Sequence, residues 1–323
     1  MKNNVRRDKA LNKNDQLRLN KDVLKETLKQ LYAPNLSFTG IIMPKINHTP
    51  SKVDRAMPWY FNGFLLSFGD GLLVVDPGVD FYSRFTTTGY TVKDVRAIFV
   101  SHQHLDHCGD LLVFIDIVAK TKTPVDLFLP INVVDDVLPE YYRELVYNSD
   151  NINLIILNEN QITTFEPRWR ALSSLKPIRL YHTTAHTFGF TVKFDNKAIS
   201  YISDTGYATK VRSSGKETPP DLTKGFEKIV EKHDDLRLAI CNTTTLICNI
   251  NDLFYNRHSL THLTGWDVAD MLKGSAVKKL IFQHLSTYDA NGINSNTIYK
   301  DFFADDPYEV IVPIDAEQRE PFA

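Results

Sequence analysis

The run Ser101-His102-Gln103-His104-Leu105-Asp106-His107-Cys108-Gly109-Asp110 narrows the folds open to this chain more than any other segment. Four donors, His102, His104, Asp106 and His107, fall within six residues. The apolar stretch Arg96–Val100 before them reads as a buried strand, and Asp110–Ala119 after them reads as a helix. The donors therefore sit on a loop at the C-terminal end of a strand, where α/β folds place ligands. His102 and His104, two apart, can point the same way, and Asp106 and His107 supply a second pair. Imidazole nitrogens with carboxylate oxygens suit zinc, manganese or iron.

More candidates stand at predicted strand ends. Asp76 follows Leu72–Val75, His182 follows Ile178–Tyr181, Asp204 follows Ile199–Ser203, and His284 follows the run ending at Gln283. Singly, each would more often cap a turn or satisfy a core hydrogen bond. Together they place a dinuclear metal site along one edge of a sandwich.

The rest of the chain fits an α/β protein with one main domain. Gly69-Asp70-Gly71 between Phe64–Phe68 and Leu72–Val75 predicts a hairpin. Further strands are expected at Asp126–Leu129, Leu154–Leu157, Phe190–Phe194, Leu238–Cys241 and Val277–Phe282. Helices are expected after Pro139 up to Tyr147, near Gly225–His233, and over Thr264–Leu272 with a Thr264/Asp267 cap. Residues 1–35 are expected to form a basic helical extension, with Leu24, Leu28 and Leu31 at helical spacing, and 36–323 the main domain. Lys and Arg total 37 against 39 Asp and Glu, a net charge of -2, so no molecule-wide basic field exists for DNA or a large RNA. Three cysteines with no C-x-x-C pair argue against a thiolate zinc knuckle and fit a reducing compartment. With no apolar run long enough to span a bilayer and no secretory leader in Met1–Lys13, the expectation is a cytoplasmic protein.

With Asp76-Pro77-Gly78, His102-x-His104-x-Asp106-His107, a mid-chain histidine, Asp204 and His284 in that order, the chain resembles the metallo-β-lactamase fold superfamily of metal-dependent hydrolases. The likeness spans roughly residues 60–285. It implies a four-layer αββα sandwich and two divalent ions, zinc first, with manganese or iron as alternatives. It further implies one ion on His102, His104 and His182, a second on Asp106, His107 and His284, and Asp204 bridging. Asp76 would orient one of the ligands. His186, in His186-Thr187-Phe188-Gly189, competes with His182, because the thiolester-hydrolase branch has its ligand three residues before that glycine. His182 is preferred.

The segment Ser259-Leu260-Thr261-His262-Leu263-Thr264, followed by Gln283-His284-Leu285-Ser286, resembles the tRNA 3′-processing endonucleases and related phosphodiesterases. It implies catalytic roles for Asp106, which holds metal and nucleophile, and for His262, which protonates the leaving group. Two divalent ions would bring a bridging water to near-neutral pKa for in-line attack on phosphorus. The interval from His182 to Asp204 is too short for the long arm of tRNA-processing relatives, so a small phosphodiester such as a cyclic nucleotide is the expected substrate. Thiolester or lactone hydrolysis, tRNA 3′ processing, and a non-enzymatic metal-stabilised sensor or scaffold are the alternatives. A homodimer is compatible with the N-terminal helix. Trp59-Tyr60-Phe61-Asn62, Tyr141, Tyr142, Tyr147, Asn242 and His258 read first as packing or loop residues.

Overall fold

Gly69-Asp70-Gly71 closes the hairpin its composition predicts. In the computed structural model β2 (Phe64–Phe68) and β3 (Gly71–Val75) pair antiparallel, with Phe68 opposite Gly71 and Phe64 opposite Val75. The structure describes residues 38–42, 63–159, 161–165, 169, 172–194, 197–207, 240, 243–252, 262–284, 303–304 and 306–311. The predicted helices at Leu24–Leu31 and Gly225–His233, the Trp59–Asn62 aromatics, Asn242 and His258 lie outside these residues.

β1 (Phe38–Ile42) adds antiparallel to β2, while β4 (Val95–Phe99), β5 (Val125–Leu129) and β6 (Ile152–Ile156) extend β3 in parallel, giving the order β1-β2-β3-β4-β5-β6. The connections carry α1 (Phe81–Phe85), α2 (Leu105–Cys108), α3 (Leu111–Thr121) and α4 (Glu140–Asn148). As expected, α4 begins immediately after Pro139, which costs a helix nothing at its first turn.

The second sheet begins with antiparallel strands: β7 (Thr163–Thr164), β8 (Ser174–Leu180), β9 (Thr187–Phe194) and β10 (Lys197–Ile202). It then turns parallel through β11 (Thr245–Asp252), β13 (Lys279–Gln283) and β14 (Glu309–Ile311). A two-residue strand, β12 (Leu263–Thr264), joins the side of β11 and leads into α5 (Gly265–Met271). Thr264 and Asp267 form the capping box expected there.

The strand sequences are nearly continuous in apolar residues because both faces of each sheet are covered. Phe64, Leu66 and Phe68 of β2 point at the other sheet, where they join Phe190, Val192, Tyr201 and Ile247. Edge-to-face aromatic pairs, Phe64 with Tyr201 at 5.1 Å and Phe99 with Phe190 at 4.8 Å, bind the two sheets together. Leu65, Val74 and Ile98 point outward beneath Phe114, Ile115 and Val118 of α3. On the far side Leu246, Cys248 and Leu280 pack against Val268 and Met271 of α5. Helix, sheet, sheet and helix make the four-layer αββα sandwich. No helix among the described residues is long and apolar enough to cross a membrane.

Of the expected strand Leu238–Cys241 only Ile240 lies among the described residues, and it is helical; the buried strand that follows is β11 at Thr245–Asp252. A four-residue apolar run has the same hydrophobicity on a helix as on a strand, so periodicity could not separate them. The parallel partners of β11, β10 on one side and β13 on the other, settle its register, and they are remote in sequence.

Candidate metal centre

Parallel β3 and β4 end at the same edge, and there the chain makes two close approaches. The loop after β3 begins with Asp76 in the left-handed backbone region at φ 47°, and its amide donates to the Phe99 carbonyl at 2.8 Å. Two residues on, Gly78 packs against the backbone of Asp106, and any Cβ there would collide with the Asp106 carbonyl oxygen. This contact explains the glycine of Asp76-Pro77-Gly78: it lets the β3 loop lie under the histidine loop. The Asp110 amide, donating to the Pro77 carbonyl at 2.9 Å, fixes the same juxtaposition.

The histidine loop then turns its donors toward one space. His102 Nε2 lies 3.0 Å from His104 Nδ1, and His182 Nε2, arriving just beyond β8, lies 3.2 Å from the same His104 nitrogen. Nearby, His107 Nε2 stands 3.3 Å from Asp106 Oδ2, and His284 Nε2 is 2.9 Å from that oxygen. His284 follows β13 with φ 60°, a backbone conformation histidine adopts at a penalty of about 1–3 kcal/mol, which the surrounding fold must outweigh. Asp204, just past β10, puts Oδ2 3.6 Å from His107, 3.7 Å from His182 and 3.6 Å from His284. His262, leading into β12, brings Nε2 to 3.3 Å from the same carboxylate oxygen and is partly exposed. All seven expected ligands and His262 therefore meet at one sheet edge. His186 belongs to none of the donor groups: its Nδ1 lies 3.2 Å from Arg179 Nη1.

The donor set fits divalent metal. His102, His104 and His182 form one group and Asp106, His107 and His284 another, with one ligand atom from each member lying within 4.8 Å of the others. Burial lowers the pKa of His102 well below its ordinary value and also lowers that of His104, which favours the neutral rings that metal binding requires. Four ligands about 2.0–2.1 Å from a tetrahedral zinc are roughly 3.3 Å apart, close to the observed spacings.

The second group is more strongly charged. Burial opposes protonation of His107, yet Asp204, Asp76 and Asp106 together raise it well above its ordinary value. Burial likewise opposes ionisation of Asp106 and Asp204, but His107 and His284 hold both carboxyls well below the usual carboxylate range.

Beneath the donors runs a buried hydrogen-bond network that the sequence reading missed apart from Asp76. Asp76 accepts from the Ser101 amide at 2.6 Å, the Ser101 hydroxyl at 2.8 Å and the Tyr201 hydroxyl at 2.6 Å. Its Oδ2 also faces His107 Nδ1 at 2.9 Å, leaving Nε2 for the centre. Ser101 Oγ lies 2.9 Å from His102 Nδ1, which turns the opposite nitrogen outward, and Ser203 donates to Ser101 at 2.8 Å. Asn249, on β11, donates to Asp204 Oδ1 at 2.8 Å and accepts from Tyr201 at 3.3 Å. Asp204 thus has one oxygen occupied and the other free to face both donor groups. The one sequence signal was position: Tyr201 and Ser203 alternate on β10 and its extension immediately before Asp204.

The family described as "Beta-lactamase superfamily domain" matches residues 72–285. The fold is similar to that of the metallo-beta-lactamase fold protein YhfI from Bacillus subtilis, with 16% identity, a TM-score of 0.58, and 85% of this chain and 95% of that chain covered. Unliganded yeast PDE1 is similar at 12% identity and a TM-score of 0.56, covering 87% of this chain and 99% of that one. Among curated proteins, the Integrator complex subunit 11 homolog of Dictyostelium discoideum is 20% identical over 225 residues, 56% of this chain and 29% of that protein. The chain thus spans under a third of that relative's length. With two thirds of its length matched and the αββα sandwich in place, the chain belongs to the beta-lactamase superfamily and has a metallo-hydrolase fold.

Proposed function

We propose that this protein is a dinuclear metal-dependent phosphodiesterase acting on a small phosphodiester such as a cyclic nucleotide. The observation that carries the reading is the position of Asp204 Oδ2, within 3.7 Å of donors from both groups and 3.3 Å from His262. His102, His104 and His182 would hold one ion, Asp106, His107 and His284 the other, and Asp204 both. Two divalent ions bound there supply an acidified water and neutralise charge on the phosphoryl oxygens. Zinc suits the imidazole-rich donor set, with manganese or iron compatible.

The chain's own residues do the rest. Asp76 and Ser101 fix the tilt of His107 and His102, and Asn249 keeps Asp204 turned so that a single oxygen enters the centre. His262 Nε2, beside that oxygen on a partly exposed ring, would give its proton to the leaving oxygen. The short hairpin of β9 and β10 fills the interval between His182 and Asp204, and the chain has a net charge of -2. Both features favour a compact substrate over precursor tRNA. Thiolester hydrolysis rested on His186, whose ring is turned to Arg179 rather than to the donors.

Elemental analysis should find two transition ions per chain. A turnover panel of bis-p-nitrophenyl phosphate, cyclic nucleotides, a thiolester, a lactone and precursor tRNA should show preference for the first two. Asp106→Ala should lose metal and activity together, whereas His262→Ala should keep metal and lose about 10²–10⁴ in kcat. One ion or none with all ligands intact, a thiolester or lactone preferred, or full turnover by the His262 variant would each overturn the corresponding part.

A further inference from the structure

The edge that carries the donors continues past them. β5 and β6 lie beside β4 in parallel order, so Ile131 and Leu157, just beyond their ends, emerge at the same edge as His102. Across from them, the 181–186 loop joins β8 to β9, with His182 at one end facing His104 and His186 at the other. Between these elements is a cavity of about 370 Å³ whose lining includes Ile131, Leu157, Glu159, Arg179, His186 and Phe188. That volume is within the roughly 300–1,000 Å³ of small-molecule sites.

Its polar groups are held in place. Arg179 donates to the Ala185 carbonyl, its Nη1 lies 3.2 Å from His186 Nδ1, and its guanidinium lies 5.0 Å from the centre of the Phe188 ring. Arginine has donors only, so His186 Nδ1 is the acceptor and the ring's proton is on Nε2, an N–H to offer. Thr184 and Thr187 hydroxyls, 2.6 Å apart, pin the loop between His182 and His186. The cavity thus combines apolar walls at Leu157 and Phe188, a fixed guanidinium plane, an imidazole donor and the Glu159 carboxylate.

The geometry points to a nucleoside-binding subsite: this cavity takes the base and sugar of the substrate while its phosphodiester lies over the donor groups. The inference rests on the phosphodiesterase reading and narrows its substrate class to nucleotides. A nucleobase is flat with apolar faces and carries donors and acceptors on its edge, which is the pattern these walls complement. Guanidinium planes also stack on bases. The loop couples the two sites physically, since its ends carry the ligand His182 and the subsite residue His186.

The test uses the metal-loaded full chain with two variants. Arg179→Met keeps the aliphatic stem and removes the guanidinium, and Ile131→Trp fills the cavity from the opposite wall without touching Arg179. Two readouts are taken: saturation-transfer NMR with adenosine and with cytidine, and the ratio of KM for adenosine 3′,5′-cyclic monophosphate to KM for bis-p-nitrophenyl phosphate. Native protein should show nucleoside saturation transfer, and both variants should lose it. The KM ratio should rise about tenfold in each, the effect of losing one base-stacking contact. Nucleoside binding retained by both variants, or no nucleoside binding by native protein, overturns the subsite even where bis-p-nitrophenyl phosphate is turned over. Nucleoside binding lost in both variants, with no phosphodiester turned over by native protein, upholds the subsite and overturns the phosphodiesterase reading instead.

Discussion

Tyr201→Phe isolates the support beneath the metal centre. The substitution removes one oxygen from a fully buried side chain and leaves the ring to pack on Phe64 and Phe190. Burial, reinforced by Asp76, pushes the Tyr201 phenol well above its ordinary pKa, so the hydroxyl stays protonated and acts as a donor. What is lost is a 2.6 Å hydrogen bond to a carboxylate with no water to replace it, and a weaker 3.3 Å contact to Asn249. Hydrogen bonds to charged groups contribute about 1.5–3 kcal/mol. For a chain of this size roughly 2 °C of Tm accompanies each kcal/mol, so Tm should fall by about 3–6 °C. The second consequence is specific to the site. Asp76 keeps Ser101 but holds His107 less firmly, and changes to groups that orient a ligand weaken metal binding about 10–100-fold. Thermal unfolding of the chelator-treated protein measures the first effect, and competition with a chromophoric chelator the second. A Tm within 1 °C of native protein would refute the energetic argument. Native metal affinity would refute the claim that Asp76 acts through His107.

Other perturbations separate the remaining parts. Metal uptake by the stripped protein should release protons, because the carboxylates around His107 hold its ring protonated and a ligand imidazole must be neutral; calorimetry in two buffers of different ionisation enthalpy reads this, and equal heats in both would contradict it. Gly78→Ala should lose about 1–3 kcal/mol and bound metal together, since the new methyl strikes the Asp106 backbone, and retained metal at native stability would show that the loops can part. Asp267 is raised to about 6, chiefly by burial, so its folded pKa lies above the unfolded value and its stabilising contribution is lost as pH rises through 6. Between about pH 4 and 6 the native chain should therefore lose up to about 3 kcal/mol relative to Asp267→Asn, whose amide oxygen still caps Thr264, and parallel stability curves would refute the assignment.

The ligands were legible in the sequence because each one ends a strand. Metal coordination needs several donors at one edge, and strands that finish there, β4 in one sheet and β10 and β13 in the other, bring His102, Asp204 and His284 together from remote parts of the chain. The spacing His102-x-His104-x-Asp106-His107 is local and needs no knowledge of neighbours. By contrast Tyr201, Ser203 and Asn249 look like ordinary strand residues. They matter because β10 lies next to β11 and its inner face meets β3 and β4, and only that packing brings Tyr201 to Asp76, 125 positions away. The same reason explains why Ile240, expected in a strand, is helical: an apolar residue carries no mark of its partners.

His186 shows most clearly why local pattern and tertiary placement diverge. The two histidines of the 181–186 loop are four residues apart, too close in sequence for spacing alone to say which one reaches the centre. The choice is made by how β8 ends and β9 begins. Thr187 pairs opposite Leu180, so the loop leaves and re-enters the sheet at one register position, and its two ends must face different neighbours. His182 goes to His104, and His186 goes to Arg179. One loop therefore serves two sites, and a shift in its register would move both. Lengthening it by a single glycine after Thr184 should weaken metal binding and alter the cyclic nucleotide KM together. If chelator competition and KM responded separately, the two sites would not share the loop as a common support.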